Sequence, residues 1–175
     1  AADLDGDGDL DLALATFEQN RIYANDGTGR FIDVTAARAP AQLDPTRSVS
    51  LGDVDRDGDV DILFGNTARI PCTLWLNDGA GTFRDASATH LPGDLDYTTD
   101  TALGDLDGDG DLDLVTATET QIDRVYRNDG RGAFTLWWRS VGSDGTNALA
   151  AADLDGDGDL DLALATFEQN RIYAN

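Results

Sequence analysis

Four short segments concentrate the residues able to do chemistry. Asp3, Asp5, Asp7, Asp9 and Asp11 alternate with small or apolar residues in the run DLDGDGDLD. The spacing recurs at Asp53, Asp55, Asp57, Asp59 and Asp61, then at Asp105, Asp107, Asp109, Asp111 and Asp113. It returns a last time at Asp153, Asp155, Asp157, Asp159 and Asp161. Aspartates at positions 1, 3 and 5 of such a run put three short carboxylates inside one tight turn. Glycine at position 6 permits the bend, position 7 offers a backbone carbonyl, and position 9 adds a last carboxylate. Hard oxygen donors in this number suit Ca²⁺, which takes about six to eight oxygens in flexible geometry; Mg²⁺ demands a stricter octahedron. Zinc would call for His or Cys, which these segments lack. The expected cofactor is Ca²⁺, one ion per loop and up to four in the chain.

Rival readings of the motif fail on its flanks. An EF-hand shares the opening but closes on a bidentate Glu at position 12, where these loops carry Leu14, Phe64, Thr116 and Leu164. Dockerin-like loops precede helices, whereas the flanks here read as strands. A solvated acidic turn is the plain alternative, and four copies in register argue against it. Paired carboxylates could also do acid–base work, but no nucleophile–base arrangement accompanies them, so no catalytic residue and no enzyme activity is expected.

The elements that must hold these loops repeat with them. The loops begin 50, 52 and 48 residues apart, and NDGxGxF follows the first three, at Asn25–Phe31, Asn77–Phe83 and Asn128–Phe134. In the second copy Ser48–Leu51 leads into the loop, Val60–Phe64 leaves it, Thr73–Leu76 follows, and Thr82–Arg84 comes after the NDG turn. Four short runs separated by turn signals predict an antiparallel meander, with NDG supplying the tight hairpin. The runs are too short and too rich in Gly for helices. Both alternating faces of Leu12–Ala15 are apolar, as in a sheet stacked between neighbours rather than one with a wet face. A unit of roughly 40–50 residues with four strands is the size of a propeller blade.

Composition agrees with a packed repeat. The chain has 34 acidic and 12 basic residues, a formal charge of −22, and 41% apolar residues. That charge excludes a nucleic-acid partner, which needs clustered Lys and Arg. No apolar run is long enough to span a bilayer. Cys72 is the single cysteine, so no intrachain disulfide forms.

The pattern DxDxDGxxD, an apolar strand and NDGxGxF resembles the FG-GAP/VCBS repeat family, the calcium-binding blades of integrin-α-like propellers, over essentially the whole chain. The resemblance implies an all-β fold of four-stranded antiparallel blades at about 1–34, 48–86, 99–138 and 147–175, within one array over 1–175. It places calcium on the side chains at positions 1, 3, 5 and 9 of each loop and on the carbonyl at position 7, that of Asp9, Asp59, Asp111 or Asp159. The words that name the family are incomplete: Phe64-Gly65 survives once, with Ala15-Thr16 and Ala117-Thr118 elsewhere. This favours the bacterial-type variant.

Residues 151–175 repeat residues 1–25 letter for letter, as in an excerpt of a longer periodic array or an engineered chain. Only about 3.75 blades are present, the last without its outer strand, so the expected partner is the chain itself: a partial propeller completed by self-association into a ring, or an end-to-end filament. Strand parity puts the aspartate loops and NDG turns on one face. The opposite face collects Phe17–Arg21, Asn66–Cys72, Glu119–Arg124 and the segments 35–47, 87–98 and 139–147, where a glycan or protein ligand would bind. Trp75, Trp137 and Trp138 are read as packing residues, with sugar stacking as the alternative. His90 is read as an exposed loop residue, Cys72 as a passive thiol, and the arginines near Glu18 and Asp123 as surface pairs.

Three functions fit these signals. The first is a non-catalytic calcium-binding scaffold for extracellular adhesion or for carbohydrate or protein binding. The second is a purely structural repeat of an extracellular filament or an engineered self-assembling propeller. The third is the propeller part of a polysaccharide-acting enzyme. Weak calcium modules work at extracellular concentrations, which points to a secreted or cell-surface setting.

Overall fold

A computed structural model describes residues 1–142 and 145–175; residues 143 and 144, inside the expected 139–147 segment, lie outside the described residues. The chain folds into four antiparallel sheets, each a meander in chain order. Unit 1 holds β1 (Leu12–Leu14), β2 (Arg21–Asn25) and β3 (Phe31–Asp33), with one bridge from Ala2 to Asp11 where a further strand would pair. Unit 2 holds β4 (Thr46–Gly52), β5 (Asp61–Asn66), β6 (Thr73–Asn77) and β7 (Phe83–Asp85). Unit 3 holds β8 (Thr98–Gly104), β9 (Asp113–Thr118), β10 (Arg124–Asn128) and β11 (Phe134–Arg139). Unit 4 holds β12 (Thr146–Ala152), β13 (Asp161–Thr166) and β14 (Arg171–Tyr173).

In units 2, 3 and 4 the aspartate loop is the hairpin between the first two strands, and in unit 1 it lies between the Ala2–Asp11 bridge and β1. The register Gly52↔Asp61, Gly104↔Asp113 and Ala152↔Asp161 closes each loop on its position 9. A bulge recurs near the start of β4, β8 and β12, at Thr46/Ser48, Thr98/Asp100 and Thr146/Ala148. Such an inserted residue increases local twist.

The core lies between the sheets, not within any one of them. Leu4, Ala13 and Ile22 of unit 1 pack with Ile62, Phe64, Trp75 and Phe83 of unit 2. Val54, Leu63, Leu74 and Leu76 of unit 2 pack with Leu114, Tyr126 and Phe134 of unit 3. Leu106, Val115 and Val125 of unit 3 pack with Leu162 of unit 4. Accordingly every residue of β5 and β9 is buried, as the apolar runs require of a sheet covered on both sides. The first strands of neighbouring units also meet: Ser48 Oγ shares a hydrogen bond of 2.8 Å with Thr101 Oγ1, and the Leu149 amide donates to Asp100 Oδ2 at 3.0 Å.

Two short helices correct the all-strand expectation: α1 (Thr35–Arg38) and α2 (Ser87–His90). Each follows a last strand ending in aspartate. Asp33 Oδ1 accepts from the Thr35 amide and hydroxyl, and Asp85 Oδ1 does the same for Ser87. These local side-chain bonds turn the backbone out of the strand. His90 therefore sits at a helix end, half-buried, with Nδ1 within 2.7 Å of Thr89 Oγ1.

Candidate metal centres

Each aspartate has its own job within the loop. The position 1 carboxylate gathers the turn: Asp3 accepts from the amides of Gly6 and Gly8 at 2.8 and 3.0 Å, and Asp105 from Gly108 and Gly110 at 2.9 and 3.0 Å. Asp153 accepts from Gly156 and Gly158, and Asp53 from Gly58. The position 5 carboxylate accepts the amide of position 7, as Asp7 does from Asp9 and Asp57 from Asp59, both at 3.0 Å. Position 9 ties the loop to the sheet: Asp61 accepts from the Val54 amide at 3.0 Å and the Asn77 amide at 2.9 Å. Asp11, Asp113 and Asp161 repeat this with Leu4 and Asn25, Leu106 and Asn128, and Leu154 and Asn175.

Oxygens of three aspartates converge to within 4.8 Å of one another in every loop: Asp3, Asp5 and Asp11; Asp53, Asp55 and Asp57; Asp105, Asp107 and Asp109; Asp153, Asp155 and Asp161. Positions 1 and 3 thus belong to all four groups, while positions 5 and 9 alternate. The side chains at position 7 belong to none. A Cβ on Gly27, Gly79 or Gly130 would stand 2.6 Å from an oxygen of Asp9, Asp59 or Asp111 respectively, so these carboxylates lie against the NDG turns. Their carbonyls remain the donors that the family resemblance implies.

The buried oxygens test whether a cation fits. Asp5 Oδ1, Asp53 Oδ1 and Asp55 Oδ1 are out of contact with solvent and have no hydrogen-bond donor. A buried anionic oxygen without a donor is strongly unfavourable unless a positive charge meets it. Burial also pushes the Asp61 carboxyl up to about 7, against the pull of its two amide donors. Burial raises Asp113 in the same way, and it raises Asp55, aided by the charge of Asp57. An oxygen-seeking divalent ion would relieve all three. The donor set is all carboxylate and carbonyl, matching a hard cation.

Neighbouring units complete these loops, which spacing alone did not reveal. The side chain of Asn77 donates to the Leu4 carbonyl of loop 1 at 2.8 Å and to the Val60 carbonyl of its own loop at 3.0 Å. Asn128 does the same with Val54 at 2.8 Å and Leu112 at 3.0 Å, and Asn175 reaches the Leu106 carbonyl. The NDG asparagine is thus a staple between units as well as a turn former. Gly81 lies so close to loop 1 that a Cβ there would stand 2.9 Å from both Asp5 Cβ and Arg38 Nη1. Arginines enter the loops too: Arg38 pairs with Asp5 at 2.8 Å, Arg127 with Asp107 at 2.6 Å, and Arg56 with Asp111.

The opposite ends of the strands form a second network. Asn20 donates to Thr46 Oγ1, Gln42 to Thr73 Oγ1, and the Tyr97 amide to Gln121 Oε1. Trp75 is fully buried, edge-on to Phe64 at 4.8 Å, and its Nε1 donates to Gln42, so it offers no face to a sugar. Trp138 packs edge-on against Tyr173 at 4.9 Å, and Arg127 lies 4.5 Å above the half-open ring of Trp137. At the surface Arg21 pairs with Asp33 at 2.6 Å, with the charge of Glu18 also favouring its guanidinium, and Arg124 pairs with Asp96 in a largely buried site. Asp123 is buried, accepting from the Thr118 amide and from Thr146 Oγ1. Burial pushes the Cys72 thiol up, which favours its protonated form.

Four stacked antiparallel meanders with one aspartate hairpin each define a tandem sheet-repeat protein. The FG-GAP-like repeat profile matches residues 3–64, 71–116 and 105–164, and the chain belongs to that family. No curated protein matches it. Among solved structures it is similar in fold to the Photorhabdus luminescens Tc holotoxin pore, at 23% identity and a TM-score of 0.53. The match covers 93% of this chain and 8% of that one. No helix among the described residues is long and apolar enough to cross a membrane.

Proposed function

We propose that this chain is a non-catalytic, calcium-binding set of β-propeller blades, a scaffold for extracellular adhesion or for carbohydrate or protein binding. The observation that carries the reading is the set of donorless buried oxygens on Asp5, Asp53 and Asp55 inside convergent carboxylate loops. Ca²⁺ is the cofactor, held by positions 1, 3, 5 and 9 with the position 7 carbonyl. The variable ends opposite the loops carry the ligand surface. A charge of −22 disfavours nucleic acid as that ligand. Titration calorimetry tests the metal: saturable heats with CaCl₂ and much weaker ones with MgCl₂ are expected, and no calcium heat would end the reading. A glycan array run with calcium and with chelator tests the ligand.

The letter-for-letter return of residues 1–25 at 151–175 favours a second reading, a structural repeat whose only partners are calcium and further blades. The outer faces of units 1 and 4 expose Leu14, Leu154 and Ile172. Blades of the same kind, in one polypeptide or in a second copy, would cover them. Sedimentation in calcium distinguishes a discrete dimer from a ladder of sizes.

A further inference from the structure

We propose that Arg56 couples cation binding in loop 2 to cation binding in loop 3, making those two sites cooperative; this rests on the calcium reading above. Arg56 occupies position 4 of its loop, between Asp55 and Asp57, where the other loops carry Gly6, Gly108 and Gly156. Position 4 requires a left-handed backbone, with φ of 76° at Gly6, 76° at Gly108 and 85° at Gly156. Arg56 holds φ at 62°, a conformation unfavourable for a residue with a Cβ. Glycine would sit there without strain, so the side chain must return something for the cost.

What it returns lies in the next unit. The Arg56 guanidinium pairs through Nε with Asp111 Oδ1 and donates through Nη2 to the Asp109 carbonyl at 3.2 Å. A Cβ on Gly110 would stand 2.7 Å from Nη2. One planar group therefore spans three consecutive residues of loop 3, holding the backbone carbonyl of the position 5 residue, Asp109, and the side chain of the position 7 residue, Asp111. Arg56 lies in the chain between Asp55 and Asp57, two carboxylates of site 2. A cation in site 2 orders Arg56, and an ordered Arg56 holds loop 3 in its binding form. The joint between units 1 and 2 has the asparagine staple but only Gly6 at position 4, so it lacks this link.

An amide-resolved NMR titration of the whole chain with CaCl₂ tests the coupling, following Gly8, Gly58 and Gly110 as reporters of sites 1, 2 and 3. Asp57→Asn disables site 2 while preserving side-chain shape, and the buried Trp75 indole resonance confirms that unit 2 stays folded. The expected result is a site 3 affinity lowered about two- to fivefold, the range of a half-exposed arginine–carboxylate pair, with site 1 unchanged. In an Arg56→Gly background the same substitution leaves site 3 where it was. Arg56→Lys keeps the charge without the planar fork and gives a smaller coupling. The proposal is overturned if Asp57→Asn leaves site 3 unaltered, or lowers it equally with and without Arg56. Absence of a calcium response at all three glycines would instead sink the calcium reading, and the coupling with it.

Discussion

Residues 1–25 and 151–175 are the same sequence in two surroundings, and they fold into the same hairpin with opposite burial. Leu4 is 2% exposed and its counterpart Leu154 51%; Ile22 is 2% exposed and Ile172 71%. The reverse holds for Leu14 at 41% and Leu164 at 2%. Unit 2 stacks on the first copy and covers Leu4 and Ile22. In the second copy β12 runs along β13 and unit 3 lies behind it. Local sequence thus decides the strand, the loop and the apolar content of each face. A neighbouring sheet decides which apolar residues leave water.

The largest expected effect is that of cation removal, which under the calcium proposal would act on both copies through the same carboxylates. A site filled at about 100 times its dissociation constant contributes about 2.7 kcal/mol, so excess chelator should lower the melting temperature steeply. An unchanged melting curve would remove the cation from the account. Next in size is a matched pair of substitutions. Ile22→Ala should cost about 2–5 kcal/mol as a buried deletion, and Ile172→Ala should stay within about 0.5 kcal/mol as a surface change. Urea denaturation reads both, and equal costs would break the comparison. Smaller again is Asn77→Ala, expected to cost about 1–3 kcal/mol by taking a donor from the Leu4 and Val60 carbonyls and an acceptor from the Gly79 and Gly81 amides. Asn25→Ala loses the same kind of turn acceptor, for the Gly27 and Gly29 amides, and a bond to the Leu10 carbonyl of its own unit, but no bond to another unit, and should cost less.

The finest distinction is protonation without cation. Burial holds the Asp61 carboxyl near 7, whereas the Asn175 and Leu154 amides hold Asp161 below the usual carboxylate range. The fold favours neutral Asp61, so its contribution to stability is fully present below the unfolded pKa and is lost as pH rises through about 7. Asp161 works the other way, contributing above the unfolded pKa and losing that as pH falls through its folded value. Carboxyl carbon shifts recorded in chelator should separate the two, and a shared midpoint would contradict their different surroundings.

Much of this was legible in the residues. The aspartate spacing announces the loops, and NDGxGxF announces the hairpin that closes each sheet. The apolar runs on both faces announce stacking. Other features depend on distance in space. Nothing near Asn77 in the chain points to the Leu4 carbonyl, 73 residues away. Nothing in the sequence marks Arg38 or Arg127 as partners of Asp5 and Asp107, to which the fold brings them. Arg56 did carry a signal, a side chain where the other loops have glycine. The helical turns α1 and α2 carried one too, in Asp33-Val34-Thr35 and Asp85-Ala86-Ser87.

The asparagine staples always point backward along the chain: Asn77 to loop 1, Asn128 to loop 2, Asn175 to loop 3, across 73, 74 and 69 residues. A ribosome making this polypeptide would therefore finish each loop's carboxylates well before the group that caps it. Each of the first three hairpins therefore gains its staple only once the next unit has been made.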